Sequence, residues 1–305
     1  MRTNQVARAA FCFALAAASE APAQTPPPVV VEVDVDLVSI TAVVYDKGGR
    51  FVTGLSAKDI TVLEDDVPQE VSIFREAQGG EEKIPLSVVL VLDASGSMAE
   101  NIGFLKEAAS SFVGKLEPVD EALVVQFNDS VKGSAEFTGD GDRLDQFVAG
   151  LQAWGGTSLH DAIKYSLERI KDRPGRKALV VFSDGEDTTS SLPQNEVVDY
   201  ARSVEATIYS VGIRGGGPRG GGAPRGFLKR ISEETGGQYF FPDRVGELIR
   251  VFAAISEELH RHYLLAYAPK KAPDGLFRKI ELRVDRPGTQ VRVRKGYFAV
   301  KRRRR

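Results

Sequence analysis

Residues 85–98 read PLSVVLVLDASGSM, and this stretch decides the fold. Residues 86–92 are an almost unbroken apolar run with three valines, which is the pattern of a strand buried on both faces of a sheet. The run ends on Asp93, and Ser95 and Ser97 follow at alternate positions before an amphipathic helical stretch. In open α/β sheets, functional groups lie at the carboxyl ends of the strands. The stretch therefore predicts a central strand that delivers an acid and two hydroxyls to such an edge.

Downstream of this strand, short apolar segments alternate with amphipathic segments of helical periodicity. Strand-like segments are predicted at residues 122–127, 131–137, 177–182, 206–213 and 238–241. Helical segments are predicted at residues 98–116, 144–151, 158–170, 195–204, 227–234 and 245–259. This alternation favours an α/β fold with a Rossmann-like, mostly parallel sheet and helices on both faces. The glycine-rich run at 212–226 is expected to form a mobile loop.

Strand patterns also flank the α/β region, which is expected to span residues 84–260. Residues 29–76 contain β-forming segments at 29–45, 51–55, 59–63 and 67–74, separated by turns. Residues 261–299 contain alternating segments at 279–284 and 291–298, which predict a two-stranded ribbon. A lone ribbon is marginally stable in water, and the N-terminal segment is too short to build a comfortable core by itself. We therefore expect both segments to pack together as one small β-sandwich, with the α/β domain inserted between them.

The N-terminal residues 1–23 combine a positively charged start, an apolar segment and an Ala-Pro-Ala sequence. This layout is typical of a secretory signal peptide, and a short buried helix is the alternative. A proline-rich linker follows at residues 24–28. The single cysteine, Cys12, lies inside the predicted signal peptide, so the mature chain would have no disulfide. No apolar run approaches the ~20 residues of a membrane-spanning helix, so we expect an exported periplasmic or extracellular protein.

The bulk charge excludes some classes of partner. The 305 residues are 42% hydrophobic and 27% charged, and the formal net charge is −2. This mild charge argues against a general nucleic-acid binder. The basic tail at residues 300–305 is the exception. Its simplest interpretation is a solvated segment, and a weak contact with anionic envelope polymers or lipids is the alternative.

Three separated pieces of the sequence place oxygen-bearing side chains at one edge of the predicted sheet. They are Asp93, Ser95 and Ser97 after the first strand, Thr157 in GGTSLHDAI, and Asp184 in VVFSDGED. Five oxygen donors without sulfur or imidazole suit a hard cation, most simply Mg²⁺, with Mn²⁺ or Ca²⁺ as alternatives. The competing interpretation is that the acids form turns and the hydroxyls cap helices. The three motifs, in this order and strand context, favour the metal site.

The Asp-x-Ser-x-Ser motif at 93–97, with Thr157 and Asp184, resembles the metal-ion-dependent adhesion site of von Willebrand factor A (VWA) domains. The resemblance covers residues 86–259 as the VWA domain. It extends to the bacterial VWFA-related proteins of the acidobacterial type through two flanking stretches, SITAVVYDKGGRFVTG at 39–54 and YLLAYAP at 263–269.

The resemblance implies a role for each site residue. Ser95, Ser97 and Thr157 would coordinate the cation directly, whereas Asp93 and Asp184 would act largely through bound waters. A protein partner would complete the coordination with an Asp or Glu carboxylate. The expected function is a secreted or periplasmic metal-dependent protein-binding or adhesion module, and not an enzyme. A metal-dependent hydrolase and a metal-free structural or assembly protein of the envelope are the alternatives.

Other side chains of chemical interest are expected to have structural roles. We expect His160 to lie on a helix surface or to pack against neighbours. We expect Trp154 to pack in the core, and a position on the rim that anchors a partner is the alternative. His260 and His262 lack the further ligands that a zinc site needs. The sequence contains no Gly-x-Ser-x-Gly elbow for a nucleophilic serine.

Overall fold

The computed structural model describes residues 37–77, 84–213 and 223–300. The predictions for the signal peptide, the proline-rich linker and most of the glycine-rich run therefore fall outside the described residues, as do those for residues 29–36 and 301–305. Among the described residues, none of the helices combines the length and the apolar character that crossing a membrane requires.

The N-terminal part forms four strands. They are β1 (Val38–Asp46), β2 (Ile60–Glu64), β3 (Val67–Gln69) and β4 (Val71–Glu76). The predicted continuous strand over 67–74 is wrong, because the chain breaks at Glu70 and sends β3 and β4 into different sheets. The strand predicted at 51–55 is reduced to one bridge between Tyr45 and Phe51.

The α/β part follows, with strands and helices in alternation. Its strands are β5 (Leu86–Asp93), β6 (Glu121–Phe127), β7 (Val131–Gly133), β8 (Arg176–Ser183), β9 (Thr207–Gly212) and β10 (Tyr239–Phe240). Its helices are α1 (Ile102–Val113), α2 (Gly141–Ala149), α3 (Leu159–Ile170), α4 (Gln194–Ser203), α5 (Ala223–Thr235) and α6 (Leu248–Leu259).

The six strands form one sheet in the order β10-β9-β8-β5-β6-β7. Neighbours pair in parallel except β6 and β7, which are antiparallel. All eight residues of β5 are buried. Leu90 and Leu92 face a core built with α1, α2 and α6, and Val89 and Val91 face a second core built with α3, α4 and α5. The predicted α/β fold class is therefore confirmed, and β5 is its doubly covered central strand.

Two predicted helix boundaries differ from the structure. The helix predicted at 98–116 is preceded by a separate 3₁₀ turn, Gly96–Met98, and α1 begins only at Ile102. The glycine-rich run was predicted as loop to residue 226, but α5 begins at Ala223. Pro224 falls in the first turn of α5, where a helix needs no backbone N–H donor, so proline does not prevent helix formation there.

The C-terminal part completes a β-sandwich with the N-terminal strands. Its strands are β11 (Tyr263–Tyr267), β12 (Phe277–Val284), β13 (Thr289–Val293) and β14 (Gly296–Phe298). One sheet has the order β13-β1-β11-β4 and the other has the order β14-β12-β2-β3. Each sheet thus mixes strands from both ends of the chain, and a shared core of buried side chains includes Ile40, Val62, Leu265 and Leu282.

The predicted ribbon of residues 279–284 with 291–298 is wrong in its pairing. β12 pairs with β2 and β14, whereas β13 pairs with β1 in the opposite sheet. Both strands alternate apolar and polar residues because each buries one face in the shared core. The alternation predicts which side chains are buried, and it does not distinguish the two sheets that face that core.

The chain passes between the sandwich and the α/β part twice, and these two connections lie side by side. Arg176, the first residue of β8, donates Nε and Nη2 to the carbonyl of Ile84 at 2.8 and 2.6 Å, and Nη1 to the carbonyl of Leu259. The N–H of Ala77 donates to the carbonyl of His262 at 2.9 Å. The sandwich therefore meets the α/β part at the amino ends of the parallel strands, which leaves their carboxyl ends at the opposite edge.

Helix α6 is fastened to the sandwich by a buried carboxylate. Glu258 accepts hydrogen bonds from the hydroxyls of Tyr45 on β1 at 2.6 Å and Tyr209 on β9 at 2.7 Å. It also forms an ion pair with Arg292 on β13. Burial and the neighbouring carboxylate raise the pKa of both phenols, so the two tyrosines remain protonated donors.

Candidate metal centre

The first component of the candidate site is the turn that follows β5. Asp93 is fully buried, and its Oδ1 accepts the backbone N–H of Ser95 at 2.9 Å. The hydroxyl oxygens of Ser95 and Ser97 lie 3.1 Å apart, so both face the same point. Ser95 is buried and Ser97 is half-buried. The turn therefore presents two hydroxyls beside a carboxylate whose orientation is fixed.

The second component comes from β8, the parallel neighbour of β5. Asp184 follows the last residue of β8, is 9% exposed, and accepts the backbone N–H of Glu186 at 3.1 Å through Oδ1. Ser183 donates its hydroxyl to Oδ2 of Asp93 at 2.6 Å and so connects the ends of the two strands. The two acids thus lie at the same edge of the sheet, as the sequence predicted for the carboxyl ends of adjacent strands.

The third component is the loop before α3. Thr157 is buried, its N–H donates to Oγ1 of Thr188 at 2.9 Å, and its carbonyl accepts the N–H of Thr188 at 2.9 Å. On the other side, the N–H of Gly96 donates to the carbonyl of Gly155 at 3.0 Å. Hydrogen bonds therefore join the Thr157 loop to both of the other components, and all five predicted residues lie on one rim.

The electrostatics of this rim favour a cation. Burial raises the pKa of the Asp93 carboxyl to about 7; hydrogen bonds from Ser183 and Ser95 lower it, and the nearby Asp184 carboxylate raises it. A divalent cation beside the two acids would offset both the desolvation and the repulsion. The donor set, two carboxylates and three hydroxyls, consists of the oxygen ligands that Mg²⁺ prefers. The residues present therefore fit such an ion.

A comparison of the whole sequence with protein families identifies the fold family. The family model described as the von Willebrand factor type A domain matches residues 87–253, which is more than half of the chain. The chain belongs to this family. The matched segment contains all five residues of the rim described above.

Relatives and solved structures agree with this assignment. The VWA chain is 24% identical over 215 residues to the uncharacterised protein sll0103 of Synechocystis sp., covering 66% of this chain and 49% of that protein. The chain thus spans about half the length of that relative. A von Willebrand factor type A structure from Catenulispora acidiphila matches with a TM-score of 0.51 and 12% identity, covering 87% of this chain and 73% of that one.

A second solved structure, the pilus adhesin SpaC of Lactobacillus rhamnosus GG, matches with a TM-score of 0.50 and 10% identity, covering 79% of this chain and 41% of that one. At these identities the two structures show the fold that the VWA chain shares with them.

Several VWA rim residues were not singled out from the sequence. Ser183 orients Asp93, and Thr188 holds Thr157 in place. Ser183 directly precedes Asp184 at a strand end, which was a usable signal, whereas Thr188 lies in a loop and gave none. The prediction that Trp154 packs in the core is wrong: its side chain is 55% exposed on the rim. A single apolar residue between loop residues has no periodicity that would reveal its environment.

The histidines have structural roles. His160 packs edge-on against Phe227 with ring centroids 4.6 Å apart, and its Nδ1 lies 3.1 Å from the carbonyl of Leu192, so it is packed as predicted. His260 joins Glu117 and Asp120 in a second group of possible metal-ligating atoms at the amino end of β6.

This second group does not need a metal. Asp120 already accepts hydrogen bonds from the N–H groups of Leu86 and Glu117 at 3.0 and 3.1 Å, and its Oδ2 lies 3.0 Å from Nε2 of His260. The other ring nitrogen of His260 lies 2.6 Å from the carbonyl of Ser256. These contacts describe a buried ion pair at the junction with the sandwich, on the opposite edge of the sheet from the rim.

Proposed function

We propose that this chain is an exported, metal-dependent protein-binding module in which a partner's carboxylate completes the coordination of a divalent cation. The observation that supports it most directly is the convergence of Asp93, Ser95, Ser97, Thr157 and Asp184 on one rim, joined through hydrogen bonds between their loops. The sandwich meets the α/β part at the other edge, so the rim is open to a macromolecular partner.

The five residues divide into two roles on this proposal. Both oxygens of Asp93 already accept hydrogen bonds, from the N–H of Ser95 and the hydroxyl of Ser183, which supports contact with the ion through water. The hydroxyls of Ser95 and Ser97 converge and carry no charge, which supports direct coordination. A cation held mainly by neutral hydroxyls keeps enough positive charge to attract a further carboxylate, and Mg²⁺ tends to retain exchangeable waters.

Two further observations support adhesion as the setting. The similar protein SpaC is a pilus adhesin. The N-terminal sequence has the layout of a secretory signal peptide, which fits an exported protein. The partner on this proposal is a protein that presents Asp or Glu at its surface.

The test is binding of the metal alone, followed by binding of an acidic peptide. We expect one Mg²⁺ or Mn²⁺ to bind by calorimetry, and a hundredfold excess over Kd to stabilise the fold by about 2.7 kcal/mol in thermal or urea unfolding. Asp184→Ala should remove both effects, and Glu136→Gln, an exposed acid away from the rim, should change neither. A chelator should release a bound aspartate-containing peptide. Peptide binding that is unchanged by chelator would contradict the proposal.

A further inference from the structure

An exposed tryptophan lies directly beside the candidate metal residues. Trp154 is 55% exposed, and its backbone N–H donates to the carbonyl of Ala94 at 3.0 Å. The next residue, Gly155, accepts the N–H of Gly96 at 3.0 Å. The backbone that carries the indole is therefore hydrogen-bonded to the turn that carries Ser95. A large aromatic side chain that is left in water on a hydrogen-bonded loop is typical of a contact with a partner.

A carboxylate packs against the same loop. Asp129 is exposed on the turn after β6, and its Oδ1 accepts the N–H of Gly156 at 2.7 Å. A Cβ atom at Gly155 would lie 2.2 Å from Oδ2 of Asp129, so only glycine allows this approach. Among the described residues, no hydrogen bond or ion pair engages Oδ2. The structure thus places a carboxylate oxygen against the residue that follows Trp154.

The rim around the candidate metal residues is acidic, whereas the segment after β10, at the far end of the sheet, carries Asp243 and Arg244. Four described segments at the carboxyl ends of the strands contain six carboxylates and no lysine or arginine; they are residues 93–101, 127–131, 152–160 and 183–193. A divalent cation would neutralise two of the six charges. A group that reaches the indole therefore enters a negative field. A cation over the face of tryptophan is attracted by the ring, and guanidinium pairs well with carboxylate.

We propose that the partner's metal-binding carboxylate is accompanied by a lysine or arginine that docks on Trp154 and pairs with Asp129. This inference rests on the proposed metal-dependent function and narrows the partner to a protein segment with an acid and a base close together. A purely acidic segment would meet repulsion from Asp129. A purely apolar segment would leave the same carboxylate desolvated without a partner.

The chain's own arginines are the alternative occupant that the test must separate from a partner's. Arg214 and Arg219 follow β9 in the sequence. In the sheet, β9 lies three strands from β6, which corresponds to about 14 Å. Ile213, the last described residue before these arginines, therefore lies on the far side of the rim from Asp129, which follows β6.

The experiment measures Mg²⁺-dependent binding of short glycine–serine peptides by fluorescence anisotropy. The peptides carry one aspartate, one arginine, or both residues at several spacings. The wild-type chain should bind the best peptide with both residues about tenfold more tightly than the peptide with aspartate alone, the sum expected of a cation–π contact and an exposed ion pair. A peptide with glutamate in place of arginine should bind no better than aspartate alone.

Two variants isolate the proposed surface. Asp129→Asn keeps an acceptor for the N–H of Gly156 and removes only the charge, and Trp154→Leu removes the ring from an exposed position. Each should reduce the tenfold preference to about threefold, because one of the two contributions remains, and neither should weaken binding of the aspartate peptide. Both variants should have the unfolding temperature of the wild type, so that a lost preference cannot be caused by loss of folding.

The outcomes separate the two proposals. Metal-dependent binding without preference for arginine would overturn the docking surface and leave the metal function standing. A preference for arginine that survives chelator and depends on Trp154 would overturn the metal function and retain the surface. If no peptide binds, both proposals fall. If Arg214→Gln with Arg219→Gln tightens binding of the arginine peptide tenfold, the chain's own arginines occupy the surface, and the proposed partner contact is overturned.

Discussion

At the scale of single residues, the candidate site is a set of oxygens held in place by hydrogen bonds to other side chains. The position of the five candidate residues at one rim was predictable, because they lie at strand ends or before a helix, where sequence pattern is informative. Ser183 and Thr188 were not predicted, since a hydroxyl that orients a neighbour leaves no periodic signal. The exposure of Trp154 was not predictable either, because one apolar residue in a loop fits a core or a surface equally well.

Ser183 provides a test of this arrangement. Ser183→Ala removes the hydroxyl that donates to Asp93 at 2.6 Å and leaves the other candidate ligands in place. We expect the affinity for Mg²⁺ to fall about tenfold, because groups that orient metal-binding residues contribute 10- to 100-fold. Calorimetric titration measures the change. Ser203→Ala, an exposed serine of α4, is the matched control and should bind Mg²⁺ like the wild type. Equal affinity in both variants would contradict this role of Ser183.

At the scale of secondary-structure elements, the existence and type of the helices and strands were predicted better than their boundaries and their pairing partners. The helices of the α/β part were identified by apolar periodicity, and the start of α5 at Ala223 was missed because proline and glycine around it suggested a loop. The pairing of β12 and β13 was missed for a different reason. Two strands that bury one face each in the same core have the same alternation, whichever sheet they join.

The attachment of α6 to the sandwich through Glu258 gives a prediction about the stability of the fold. Glu258→Gln keeps one of the two oxygens that accept from Tyr45 and Tyr209, replaces the other with an amide donor, and leaves Arg292 without its buried counter-charge. We expect the free energy of unfolding in urea to fall by about 3 kcal/mol, the range for breaking a buried ion pair. The adjacent Glu257 forms an exposed ion pair with Arg261, so Glu257→Gln should cost less than about 1 kcal/mol. Similar losses in both variants would argue that α6 is not fastened through Glu258.

At the scale of the whole molecule, the α/β fold was predictable, and so was the packing of the N-terminal and C-terminal β segments into one sandwich. The argument was energetic: neither flanking β segment buries enough apolar surface by itself. The polar junction was not predictable, because its ion pairs join distant positions, Asp120 with Arg176 and Glu258 with Arg292, and form only in the folded chain.

The junction also makes stability depend on pH. The hydrogen bond to Asp120 raises the pKa of His260 above its ordinary 6.5, despite burial, which lowers it. Because the folded state binds this proton more tightly, the contribution is fully present below about pH 6.5 and is lost as pH rises through the raised value. We expect His260→Gln to lower the free energy of unfolding by about 1 to 2 kcal/mol more at pH 5.5 than at pH 9. Equal losses at the two pH values in urea titrations would contradict this.

The bond between Ala77 and His262 has a consequence for the architecture. It continues the antiparallel ladder of β4 and β11, whose register pairs Glu76 with Tyr263. These two strands are therefore the arms of a β-hairpin, and the whole α/β part occupies the position of its turn. A two-residue turn such as Asn-Gly satisfies the same geometry. The register of β4 with β11 is therefore set within the sandwich and does not depend on the length of the chain inserted between the two strands.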